Sequence, residues 1–181
     1  MLGTTENTSN ILMYKQIENT PHQLAYRTYE IVLRQLNGIN KGVQAEHSAK
    51  RYMWKYRNDK ETEIIFEDPE NETTIMLDGG TNPDMIEIQR QLEAADIKHA
   101  FFNEPDLNYC LTAITVIADE RVWDRKYFHS FQDYYDYFME FYDTDLQVGT
   151  SAPTYEEWLE HIGGEKNVKL IEILSGKRLS L

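Results

Sequence analysis

Along residues 29–117, short apolar runs rich in β-branched and aromatic residues alternate with stretches whose apolar positions recur every three or four residues. The first run, Tyr29 to Leu36, ends at Asn37-Gly38 and predicts a mostly buried strand. From Asn40 the period changes: Ala45, Ala49, Tyr52, Met53 and Tyr56 fall on one stripe and predict a helix of about four turns reaching Arg57. Residues 58–72, dense in acids and holding Pro69, predict a solvated connection with a short strand at Glu63 to Phe66. Thr73 to Asp78 reads as a second buried strand, closed by Gly79-Gly80. Thr81-Asn82-Pro83-Asp84 then starts a helix, because Thr81 or Asn82 can accept from orphan backbone amides while Pro83 sits where no N–H is needed. Met85, Ile88, Leu92 and Ala95 carry its apolar face, and Lys98 to Phe102 and Cys110 to Ile117 predict two more strands.

The order β-α-β-α-β-β predicts an α/β fold with a mixed four-stranded sheet flanked by helices. Helical crossovers make the first three strands parallel, whereas the seven residues from Glu104 to Cys110 suit an antiparallel last pair. Beyond Asp119 the chain turns aromatic and acidic. Phe128, Phe131, Tyr135, Phe138 and Tyr142 predict a helix of about five turns packed on the core. Thr154 to Glu157 is a capping box opening another helix that stops at Gly163-Gly164, and Val168 to Leu174 forms a last short element. Residues 1–23, polar apart from Ile11 to Tyr14 and broken at Pro21, predict a mobile lead-in with at most one docked turn. The chain thus divides into this lead-in, an α/β domain over 24–119 and a helical, aromatic-rich extension over 120–181.

Composition narrows the setting. At 181 residues, 41% apolar, the chain can bury one substantial core. The lone Cys110 cannot close an intrachain disulfide, and no basic-then-apolar leader opens the sequence. No apolar run approaches the roughly 18 to 20 residues of a membrane-spanning helix, so a cytoplasmic protein with no membrane insertion is expected. His and Cys show no metal-ligand spacing and no glycine-rich nucleotide fingerprint appears, so neither metal nor cofactor is expected. The net charge of −13 argues against a polyanionic partner, yet it is unevenly spread. Residues 24–60 hold eight basic residues against three acids, a net of +5, which leaves −18 for the rest. Charges at physiological salt are screened beyond roughly 8 Å, so this basic island can still hold a phosphate.

Two stretches concentrate hydrogen-bonding and charged side chains where predicted strands end, the place at which open α/β sheets form ligand crevices. In the first, Asn40 to Ser48, the side chains of Lys41, Gln44 and Ser48 share a helix face with Arg51 and Lys55, and His47 lies beside it. Gly38 and Gly42 open the strand-to-helix turn, where free N–H groups and the helix dipole favour an anion. The same spacing also describes a plain solvated helix face. In the second, Glu104-Pro105-Asp106 holds two carboxylates at a strand end. Asp106 can orient a water, position the Lys41 amine, or simply cap a turn, and Thr112 can offer its hydroxyl to the same crevice. His99 and His22 read as surface residues.

A strand running into Asn40-Lys41-Gly42-Val43-Gln44-Ala45-Glu46-His47-Ser48, then a unit ending in Glu104-Pro105-Asp106-Leu107-Asn108 and Leu111-Thr112-Ala113-Ile114, resembles the second class of peptidyl-tRNA hydrolases, the archaeal and eukaryotic type. Within it the likeness is to divergent, short-loop, phage-like versions, and it covers roughly residues 26–118. The resemblance implies a mixed four-stranded sheet, no metal, and hydrolysis of the ester joining a peptide to tRNA. It makes Lys41 the catalytic Lys, Gln44 and His47 the Gln-x-x-His of the first helix, Asp106 the loop Asp and Thr112 the strand Thr. Two differences stand out: the family's Lys precedes the Gln by four residues, where this chain has Asn40, and the family's loop between Asp and Thr is longer and glycine-rich.

The implied mechanism is direct attack of water on the ester carbonyl. Lys41 and nearby amides would stabilise the oxyanion or hold the terminal phosphate, Asp106 with His47 would serve as general base, and Thr112 would orient the substrate. Asn40, Gln44, Ser48, Arg51, Lys55 and Glu104 would bind the acceptor end of tRNA, the basic ones by phosphate contacts. The competing reading is a non-catalytic binding or inhibitor protein on the same fold. It would engage a protein partner through its acidic surface, −11 over residues 61–118, and its aromatic C-terminal helices, because Tyr is enriched at interfaces.

Overall fold

The computed structural model describes residues 24–67, 72–142 and 152–180. Strand β1 (Tyr26–Val32) is followed by helices α1 (Gly38–Lys55) and α2 (Lys60–Glu67), strand β2 (Thr74–Asp78), helix α3 (Asn82–Ala94) and strand β3 (Ala100–Glu104). A 3-10 turn (Pro105–Leu107) leads into β4 (Cys110–Asp119), and two further 3-10 turns precede helices α4 (Phe131–Tyr142), α5 (Tyr155–Ile162) and α6 (Glu165–Leu174). The sheet order is β2-β1-β4-β3, with β1 and β2 parallel and β4 antiparallel to both its neighbours. The carboxyl ends of β1, β2 and β3 therefore share one edge with the start of β4. The fold is the mixed α/β sheet that the order of elements predicts.

The two faces of the sheet differ in chemistry. On one, Tyr29, Ile31, Leu77, Ile114 and Val116 meet Met85, Ile88 and Leu92 of α3 and Leu170 and Ile173 of α6 in the main apolar core. On the other, the alternate residues Thr28, Glu30, Val32, Ala113 and Thr115 are buried, and only Val32 and Ala113 join Ala45 of α1 in a small apolar cluster. The polar face beneath α1 positions the site.

Several elements depart from the periodicity. β1 spans Tyr26–Val32 rather than 29–36, because β2 and β4 supply ladder partners only over that range and Leu33 to Leu36 turn away. Glu63 to Phe66 is helical: the Thr62 and Glu63 amides donate to Asp59 O, and Thr62, Ile64 and Ile65 are buried at helix spacing. The aromatic helix has three turns, not five, since Phe128 adopts a left-handed backbone (φ 51°) that ends any helix through it. Rather than packing on the main core, α4 packs on α5 in a second cluster of Tyr127, Tyr134, Trp158 and Ile162, and Ile171 of α6 touches both clusters. His99 is buried, its Nδ1 2.8 Å from Ile97 O, not on the surface. The cap signals are met: Thr81 with Asp84 and Thr154 with Glu157 form capping boxes, and Gly163 closes α5 at φ 89°. The lead-in with Ile11 to Tyr14, Pro21 and His22 lies outside the described residues. Among the described residues no helix is long and apolar enough to cross a membrane.

Candidate functional site

Helix α1 starts at Gly38, two residues before the change of period in the sequence, because the side chain of Asn37 accepts from the Asn40 amide at 2.9 Å and caps it. Asn40 and Lys41 consequently lie in its first turn, at the positive end of the helix dipole. The buried face carries Lys41, Gln44, Ala45, Ser48 and Tyr52, a run of three- and four-residue steps. Asn40, four residues before Gln44, is exposed. A lysine three positions before the glutamine is thus the one that lies against the sheet.

Gln44 sits in a chain of hydrogen bonds that joins three elements. Thr112 Oγ1 donates to Gln44 Oε1 at 2.8 Å, and Gln44 Nε2 donates to Glu104 Oε2 at 2.5 Å. Thr112 reaches Gln44 because of a bulge: Phe102 opposes Ala113 and Asn103 opposes Leu111, so Thr112 is an extra residue on β4 and its side chain is re-aimed toward α1. Glu104 is the hub at the end of β3. Its Oε1 accepts from the Asp106 amide at 3.4 Å, and its carbonyl accepts from the Tyr109 amide at 3.0 Å. Glu104, not Asp106, caps the 3-10 turn, and Asp106 is left exposed.

A second buried chain lies one turn along. Ser48 Oγ donates to Ala100 O at 3.2 Å, Thr115 Oγ1 is 2.8 Å from Ser48 Oγ, and Glu30 Oε2 is 2.8 Å from Thr115 Oγ1. Each hydroxyl owns one proton. Thr115 Oγ1 thus faces two acceptors, Ser48 Oγ and the Glu30 carboxyl, with one proton to give. Burial raises the Glu30 pKa from 4.5 to about 8 against the opposing Thr115 hydrogen bond, which favours the neutral acid at neutral pH.

The remaining sequence candidates fall into two groups. His47 is exposed and stacks on Phe102, ring centres 4.6 Å apart, while Arg51 lies over the same ring at 4.5 Å and donates to Phe101 O at 3.0 Å. Lys55 donates to His99 O at 3.3 Å. These cations hold the edge strand β3 against α1. At the same edge of the sheet β2 ends in Asp78-Gly79-Gly80. Burial opposes the Asp78 charge, but the Gly80 amide, Arg34 and, less strongly, Lys41 outweigh it and hold the carboxyl below its ordinary range. Lys41 therefore lies within electrostatic reach of Asp78. Asn82, first residue of α3, accepts from the Leu111 amide at 3.2 Å and ties the start of β4 to that helix.

Gln44, Glu104 and Thr112 thus meet at the α1–sheet interface near the carboxyl edge, Lys41 and Ser48 are buried on the same helix face one turn to either side, His47 and Arg51 flank them on Phe102, and Asp106 is exposed on the turn that follows β3. The sequence reading missed Glu30, Thr115, Asn82 and Phe102. Glu30 did leave a signal, a single acid inside the apolar run Tyr29 to Leu36. The others show only once the pairing register is known. Among the described residues no group of three or more His, Cys, Asp and Glu side chains is placed to hold a metal ion. No protein-family model matches the chain, and no curated protein sequence matches it.

Proposed function

We propose that this chain hydrolyses the ester joining a peptide to tRNA by direct attack of water. The observation that carries the reading is the Thr112–Gln44–Glu104 chain. It bonds the Gln amide at both ends, fixes its orientation, and sets it one helical turn from Lys41 at the positive end of α1. Developing negative charge on the ester oxygen would be met by the Lys41 ammonium and the helix dipole, groups that are in place before reaction. The exposed Asp106 carboxylate, with the exposed His47 of α1, would take the proton of the attacking water, and the 3′-hydroxyl of the tRNA would leave with a proton from solvent. Arg51 and Lys55 already serve the β3 carbonyls, so their phosphate contacts would be secondary.

The alternative, a protein-binding role, keeps the acidic surface as its support. The aromatic side chains on which it also drew are largely used inside: Tyr134 and Trp158 are buried, and the Trp158 Nε1 donates to Phe128 O at 2.7 Å. The test is release of peptide from a peptidyl-tRNA by the wild type beside Lys41→Ala and Asp106→Ala. Turnover that falls by about a hundredfold or more in both folded variants is the expected result. No turnover, or turnover indifferent to both changes, would leave the protein-binding reading.

A further inference from the structure

Loop residues Asn108 and Tyr109 both adopt the left-handed backbone region, at φ 54° and 57°. Asn tolerates that region, whereas a bulky aromatic there is an outlier, and such outliers cluster at ligand clamps. The conformation is enforced from both sides: the Tyr109 amide donates to Glu104 O at 3.0 Å, and the Leu111 amide is held by Asn82 at 3.2 Å. Despite this tight backbone, the Tyr109 side chain is 71% exposed, and among the described residues its ring stacks on nothing. Folding gains nothing from it. Leu107 beside it is 46% exposed, and on the first two turns of α1 Ile39 and Val43 are 82% and 42% exposed. Glu104 fixes the relation of this loop to the crevice, since the same residue holds Gln44 through its carboxylate and Tyr109 through its carbonyl.

We propose that Tyr109 is a stacking platform at the mouth of the crevice for an unpaired nucleobase, the terminal base of a single-stranded 3′ end. A ring presented on a rigid turn beside polar groups suits a flat π-face, and stacking of this kind serves every base. The proposal rests on the hydrolase reading for what lies next to that base, the ester, but base docking is measured separately from turnover. The probe is a short single-stranded oligonucleotide whose 3′-terminal adenine is replaced by 2-aminopurine, a fluorophore quenched when it stacks. Wild type and Tyr109→Trp should quench it saturably, Tyr109→Ala should bind about tenfold or more weakly, and Tyr155→Ala, another exposed tyrosine on α5, should match wild type. Absence of quenching in the wild type, or equal quenching in Tyr109→Ala, overturns the platform even if peptide release is observed. Quenching that depends on Tyr109 without peptide release upholds the platform and removes the hydrolase reading alone.

Discussion

The buried Glu30 carboxyl carries a pH dependence with a definite sign. Its carboxyl titrates near pH 8 in the folded protein and near 4.5 in the unfolded chain. Below pH 4.5 both states hold the proton. Between 4.5 and 8 only the folded state does, so stability falls as pH rises through that window, by about 1.4 kcal/mol per unit, and the decline ends above 8. The total is on the order of 5 kcal/mol for a side chain only 2% exposed. Glu30→Gln keeps a donor for Thr115 and cannot ionise. Urea unfolding of the two proteins at pH 5, 7 and 9 should show wild type losing ground to the variant at each step; parallel pH curves would mean that folding does not raise the Glu30 pKa.

At the scale of elements, what could be read in advance followed from local chemistry. The capping boxes at Thr81 and Thr154 and the stop at Gly163 involve residues three apart or fewer, and each falls where the sequence puts it. The ladder bulge that turns Thr112 toward Gln44, and the 60- and 68-residue separations of Gln44 from Glu104 and Thr112, depend on pairing register, which no local pattern contains. Lys41 was legible as a candidate that shares a helix face with Gln44 and Ser48, but not as a buried residue, because which face lies against the sheet is set by tertiary packing. Two adjacent isoleucines serve a helix face or a strand equally, and so α2 read as a strand. The same dependence on register makes the β2–α3 junction sensitive. A Cβ at Gly79 would collide with Met85 Sδ and come within 2.9 Å of Ile31 Cγ2, and Met85 and Ile31 are both fully buried. Gly79→Ala should therefore destabilise by about 1–3 kcal/mol through overpacking. Adding Met85→Ala should recover part of that loss in the double variant, and strict additivity in denaturant midpoints would show that the two sites do not meet.

Across the whole molecule, the −13 charge and the +5 island pull in opposite directions, and the structure says how much of the island is free to act. Most of its eight cations, Lys41 among them, have internal partners. Arg34 pairs with Asp78, Lys50 with Glu46, and Arg27 lies over Trp123. Arg51, Lys55 and Arg57 donate to the carbonyls of Phe101, His99 and Trp54. An exposed pair such as Lys50–Glu46 gives way easily, but Arg51 and Lys55 secure an edge strand, and moving them to phosphates would cost the contacts that seat β3. Neutralised phosphates should accordingly number about two, and each contributes about −0.7 to −0.9 to the slope of log affinity against log salt. Binding of uncharged tRNA, followed by filter retention from low to physiological salt, should give a slope near −2. A slope of about −4 or steeper would require the internal cations to be stripped from their partners or a second basic surface to be engaged, and a flat response would mean that the acidic remainder of the protein cancels the island outright.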